Sequence, residues 1–127
     1  MPYNILVIDD DKATADATAD LLKLLGHTVT IAYGPRTAMT QVAFTAHDIV
    51  FLDVNMPGVS GLDVCRYLRR DPKLARLPII IVSANEEKAY KEAAFRAGAT
   101  GYIVKPAMIE DLEAALRYVK PPATPGH

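Results

Sequence analysis

Five short stretches of this chain hold residues able to do chemistry, and four of them directly follow an apolar run. Asp9-Asp10-Asp11 follows Ile5-Leu6-Val7-Ile8, Asp53 follows Ile49-Val50-Phe51-Leu52, and Ser83 follows Ile79-Ile80-Ile81-Val82. Lys105-Pro106 follows Tyr102-Ile103-Val104. The fifth stretch, Val54-Asn55-Met56-Pro57-Gly58, is an irregular loop after Asp53 whose backbone carbonyls can turn toward a metal. Were Asp9, Asp10 and Asp53 to meet within a few ångströms, their charges would repel and push one or more toward protonation. A hard divalent cation relieves that repulsion, and Mg²⁺ takes one or two carboxylates together with waters and phosphate oxygens. Lys105 adds a fixed positive charge; at about 4 Å and an effective dielectric of about 20, an ion pair gives roughly 4 kcal/mol before desolvation. A carboxylate held in this way can attack phosphorus once the oxygens of an incoming phosphoryl group are neutralised. Ser83 can then donate a hydrogen bond to that group. The set therefore points to phosphoryl transfer onto an aspartate. Asp9 and Asp10 taken alone could merely cap a helix; with Asp53, Ser83 and Lys105 beside them, capping does not account for the set.

These residues meet only if the elements between them bring them to one edge. Segments with helical spacing separate the apolar runs. Ala13, Ala17, Leu21 and Leu24 mark the first such face, and Met108, Ile109, Leu112, Leu116 and Val119 the last. Gly26 follows the first helix, Pro35 suits the first turn of the second, and Gly98 closes the fourth. Alternation of this length requires right-handed crossovers and a parallel sheet. Runs one, three and four are continuously apolar, as strands covered on both faces are. Run two, Thr28-Val29-Thr30-Ile31, alternates, and run five opens with Thr100-Gly101, so both are edges. The expected fold is a flavodoxin-like, doubly wound, five-stranded parallel sheet of order 2-1-3-4-5 with five helices. Its ligand crevice lies beyond the carboxyl ends of the strands.

In order and spacing, Asp9-Asp10, Asp53-Val54-Asn55-Met56-Pro57-Gly58, Ser83-Ala84 and Lys105-Pro106 resemble the response-regulator receiver family of two-component systems, best known from the chemotaxis regulator. The resemblance runs from about Asn4 to Val119. It implies that Asp53 is the phosphoacceptor, that Asp10 and Asp53 bind Mg²⁺ directly, that Asp9 acts through a metal-bound water, and that Asn55 offers its backbone carbonyl. It further implies that Ser83 is the switch hydroxyl, Lys105 the cation on the phosphoryl group, Tyr102 the aromatic switch, and Lys105–Pro106 a cis bond. The implied donor is a sensor histidine kinase or phosphotransfer protein, and the implied readout is the surface of helix four, strand five and helix five. Such a chain is a signalling protein that catalyses only its own phosphorylation and dephosphorylation. Its output protein or domain is not legible. Ala107 stands where many relatives carry Phe. Thr100-Gly101 and Ala115 stand where the subgroup dimerising through helices four and five has acids and an Arg, which argues against that dimer.

Asp9-x-Asp11 also mimics the opening motif of haloacid-dehalogenase-like phosphatases, in which Asp9 would be the nucleophile. However, Lys12-Ala13 follows instead of Gly-Thr or Gly-Val, and no acidic pair follows Lys105 at a strand end to complete that family's metal site. A flavodoxin proper would need a Ser/Thr/Gly phosphate cradle in the first loop, which is missing. The balance of 14 basic and 15 acidic residues, net −1, gives no nucleic-acid or membrane surface. Arg66, Arg69 and Arg70 read as a solvated helix face, and Cys65 as a packed small hydrophobe. His27, His47, Tyr33, Tyr67, Tyr90 and Tyr118 carry no assigned role. The expected domain is 1–119, followed by a proline-rich tail or truncated linker at 120–127. With no basic leader, no membrane-length apolar run and a single cysteine among 127 residues, the expected location is cytoplasmic.

Overall fold

The computed structural model describes residues 2–56 and 59–119. Five parallel strands form one sheet: β1 (Asn4–Ile8), β2 (Thr28–Ala32), β3 (Ile49–Asp53), β4 (Ile79–Ser83) and β5 (Gly101–Val104). They lie in the order β2-β1-β3-β4-β5, as their sequences predict. Between and after them run α1 (Lys12–Leu24), α2 (Pro35–Phe44), α3 (Gly61–Arg70), α4 (Lys88–Arg96) and α5 (Ile109–Leu116). A short antiparallel hairpin, Asn55–Met56 with Val59–Ser60, joins β3 to α3. The proline-rich tail expected at 120–127 and the Pro57-Gly58 part of the loop lie outside the described residues.

Side-chain alternation along the central strands divides the core in two. Leu6, Ile8, Val50, Leu52, Ile79 and Ile81 pack with Ala38, Cys65, Leu68 and Ala94 of α2, α3 and α4. Ile5, Val7, Ile49, Phe51, Ile80 and Val82 face the opposite way and meet Ala15, Leu22, Leu112 and Ala115 of α1 and α5. Burying each large side chain contributes about 1.5–3 kcal/mol. A sheet covered on both faces has no room to slip, so the ends of its strands are fixed.

Two helix faces differ from those the spacing predicts. On α1 the buried stripe is Ala15, Ala19 and Leu22, whereas Leu24 is 78% exposed and Ala13 and Ala17 lie in solvent. Alanines run on several faces of this helix, so periodicity alone could not choose among them; the small Ala15–Ala19 stripe lets the helix sit close to the sheet. At the other end, Met108 is the exposed residue before α5, while Ala115 fills the buried position beside Leu112.

Nor is Arg69 solvated. It is half-buried and donates from Nε to the Gly98 carbonyl (2.8 Å), from one terminal nitrogen to the Leu74 carbonyl (2.7 Å), and from the other to Thr100 Oγ1 (3.1 Å). Thr100 Oγ1 also accepts from the Ile79 amide at 3.1 Å, tying the start of β4 to the same knot. Gly98 has φ +107°, and a Cβ there would stand 2.6 Å from Arg69 Cγ. Both the turn after α4 and the packing of Arg69 therefore require glycine at this position.

Candidate functional site

Parallel strands deliver their last residues to one edge, and the site is assembled from those ends. Asp53 is the final residue of β3 and Ser83 the final residue of β4. Asp9 and Lys105 continue the backbone ladder just past their strands: the Asp9 amide donates to the Ala32 carbonyl (3.1 Å) and the Lys105 amide to the Ser83 carbonyl (2.8 Å). Rigid strands thus carry every group except Asp10, which begins the loop into α1, and Asn55, two residues past Asp53 in the hairpin strand. The hairpin folds back closely. A Cβ on Gly61 would lie 2.3 Å from Val54 Cα and 2.8 Å from the Asp53 carbonyl oxygen, so only glycine lets α3 start directly against the end of β3.

Carboxylate oxygens of Asp9, Asp10 and Asp53 all lie within 4.8 Å of one another. Asp9 and Asp53 are each 4% exposed, while Asp10 faces solvent. Lys105 Nζ stands 3.0 Å from Asp53 Oδ1, with its own side chain largely covered. Ser83, 1% exposed, accepts the Asn85 amide at Oγ (3.1 Å), which leaves its hydroxyl hydrogen free to donate elsewhere. Helix capping does not consume the acidic cluster. Asp11 is the N-cap of α1 and accepts from the Ala13 amide, while Asp9 accepts from the Asp11 amide at 2.9 Å.

The electrostatics follow from burial. Loss of water pushes Asp9 up to about 7, reinforced by the hydrogen bond and charge of Asp53 and opposed by the Asp11 amide and Lys105. Fully ionised, three carboxylates and one ammonium leave a formal charge of −2, which a divalent cation cancels. Oxygen-only donors of this charge suit Mg²⁺ rather than a softer metal. The chain's own donor set therefore fits the metal that its pattern implies.

Tyr102 is the one site residue whose placement differs from a simple switch. Its hydroxyl already donates to the Asn85 carbonyl at 2.7 Å, in the loop between β4 and α4. Tyr90 meets its ring edge-to-face, with centroids 6.4 Å apart and planes at 78°, and Lys91 Nζ sits 5.8 Å from the centroid. The sequence alone gives no role to Asn85, Tyr90 or Lys91. Nothing in residue type sets them apart, and only the approach of α4 to β5 gives them a partner. Lys105–Pro106 is cis, as the resemblance implies.

Known proteins share this fold. The family model described as the response regulator receiver domain matches residues 5–117. The response regulator MprA of Mycolicibacterium vanbaalenii is 38% identical over 125 residues, which cover 98% of this chain and 53% of that protein. The chain thus spans about half the length of the curated relatives it matches. The chemotaxis protein CheY4 of Vibrio cholerae superimposes with a TM-score of 0.87 at 26% identity, over 94% of this chain and all of that one. A beryllofluoride-activated DrrB receiver domain gives 0.81 at 27%, over 93% and 97%. The phosphatase alternative with Asp9 as nucleophile has no support, because the family model and the matching proteins are response regulators. Among the described residues no helix is long and apolar enough to cross a membrane. With its strand order, its acidic edge and a family match over nearly its whole length, this chain belongs to the response regulator receiver domains of two-component systems.

Proposed function

We propose that Asp53 accepts a phosphoryl group from a histidine kinase or phosphotransfer protein, in a reaction that requires Mg²⁺. The 3.0 Å contact between Lys105 Nζ and Asp53 Oδ1, inside a cluster of three carboxylates, carries this reading. Asp10, Asp53, the Asn55 carbonyl and, through water, Asp9 would hold the metal, which when bound supplies charge neutralisation for the phosphoryl oxygens. Strand β3 fixes Asp53 so that one carboxylate oxygen faces the crevice as nucleophile. Lys105 holds that carboxylate in place and, after transfer, pairs with the new phosphoryl charge. Ser83 donates its hydroxyl to a phosphoryl oxygen. The same groups serve hydrolysis of the acyl phosphate, in which water takes the phosphoryl group and the Asp53 carboxylate leaves, so the chain's chemistry in this reading is on itself.

Ser83 and Tyr102 then form the switch. Turning the Ser83 hydroxyl toward phosphate alters its bond to the Asn85 amide, and Asn85 is the residue whose carbonyl holds Tyr102. The surface of α4, β5 and α5 reads the change as a shift in population, driven only by contacts that differ between the states. Acetyl phosphate with Mg²⁺ tests the reaction: one phosphoryl group per chain is expected, and none after chelation of the metal. Equal labelling with and without chelator would overturn the metal's role.

A further inference from the structure

We propose that Tyr90 and Lys91, in the first turn of α4, form a clasp that holds Tyr102 on the β4–α4 loop before any phosphoryl group arrives. The proposal rests on the phosphoacceptor reading above and revises the part of Tyr102 in the switch: two positioning residues hold its ring beforehand, and the phosphate-dependent movement is left to Ser83 and the β4–α4 loop. Three contacts converge on one ring. The Tyr102 hydroxyl is held at 2.7 Å by the Asn85 carbonyl, its ring is met edge-to-face by Tyr90, and the Lys91 ammonium stands 5.8 Å from its centroid. The aromatic spacing of 6.4 Å lies within the range where edge-to-face pairing is attractive, and the cation lies within the reach of a cation–π contact.

Both clasp residues are themselves held. Tyr90 packs on the core shared by α2, α3 and α4, so its ring is an anchored wall. Lys91 is half-buried and, among the described residues, forms no salt bridge that would draw it off the ring. Burial is the main cause that pushes the Tyr90 phenol up, in keeping with a ring packed on the core. A continuous line of contacts then runs from Ser83 through Asn85 and Tyr102 to α4. The clasp makes bonded Tyr102 the resting state, and phosphorylation adds little further movement of this ring. Without the clasp, Tyr102 would depend on the phosphoryl group.

Fluorine NMR of protein carrying 3-fluorotyrosine reads this directly, with the Tyr102 resonance assigned by Tyr102→Phe. Wild type should show one dominant Tyr102 signal that beryllofluoride with Mg²⁺ barely moves. Tyr90→Leu keeps apolar volume but removes the aromatic edge, and Lys91→Gln removes the cation. Each should lower the ratio of bonded to released Tyr102 by roughly two- to tenfold, the worth of one such contact, and beryllofluoride should restore it. Lys91→Gln changes no core residue and carries the same test if Tyr90→Leu does not fold. Identical Tyr102 signals in wild type and Lys91→Gln, or a wild-type shift with beryllofluoride as large as the variant's, would overturn the clasp. The fluorine signal of bound beryllofluoride is read separately. Its absence from wild type would sink the Asp53 reading, while the comparison without beryllofluoride would still decide the clasp.

Discussion

Lys105 Nζ lies 3.0 Å from Asp53 Oδ1, and it is the cation paired with a carboxylate that is 4% exposed. Removing one member of a buried pair leaves the other uncompensated, at a cost of roughly 3–5 kcal/mol. Lys105→Ala should therefore lower metal-free stability by about that amount at neutral pH, measured by denaturant unfolding. Mg²⁺ should restore part of the loss. A variant as stable as wild type without metal would show that the pair does not hold Asp53.

The acidic cluster should show unequal members in a Mg²⁺ titration. Asp10→Ala should abolish most affinity, because Asp10 is exposed and is the direct ligand in the proposed metal site. Asp9→Ala should weaken binding less, because Asp9 is buried and already accepts the Asp11 amide. Equal, wild-type affinity in both variants would reduce the cluster to a helix start.

Glycine 61 sets how closely α3 can begin behind Asp53. In Gly61→Ala the new Cβ would meet Val54 Cα at 2.3 Å, backbone that cannot step aside. Overpacking of this kind costs about 1–3 kcal/mol or more, and phosphorylation should slow with it because Asp53 is the neighbour displaced. Unchanged melting and labelling rates would contradict the close approach.

At the far end of the sheet, Arg69→Met should cost about 2–4 kcal/mol in equilibrium unfolding, since it removes three charge-assisted hydrogen bonds, although the Leu74 carbonyl keeps the Leu77 amide and Thr100 Oγ1 keeps the Ile79 amide. Arg66→Ala should cost under about 0.5 kcal/mol, because its partner Asp63 is a surface neighbour one turn away. Equal losses would refute the knot at Gly98.

Acid stability should carry the mark of two histidines. Burial lowers both His27 and His47 below the ordinary imidazole value, so the unfolded chain binds protons more readily than the folded one. Their contribution is complete above about pH 6.5 and is lost as pH falls below it. Nδ1 of His27 accepts the Tyr3 amide at 3.0 Å while the two rings stack, and protonation forfeits that bond. His27→Phe should be less stable than wild type at pH 7.5 yet fall less between pH 6.5 and 5. A parallel fall would acquit His27.

Strand order and the acidic edge were legible because each rests on a strong local signal. Ile79 to Val82 can only be an interior strand, and the alternation of Thr28 to Ile31 can only be an edge. Polar residues at the ends of such strands have one place to go, which gathered Asp9, Asp53, Ser83 and Lys105. Contacts made by residues of ordinary type were not legible. Arg69 resembles Arg66 and Arg70 until the Gly98 turn is folded beneath it, and Tyr90 resembles any exposed aromatic until α4 lies against Tyr102. The buried face of α1 escaped for a related reason, since alanine marks no face by itself.

Intact-mass analysis after incubation with acetyl phosphate and Mg²⁺, followed by the same measurement on Asp53→Asn, bears most directly on the central claim. The amide keeps the shape of the carboxylate and removes its nucleophilic oxygen. Wild type should gain a single phosphoryl group and Asp53→Asn none. Undiminished labelling of Asp53→Asn would place the phosphoacceptor elsewhere and contradict the assignment.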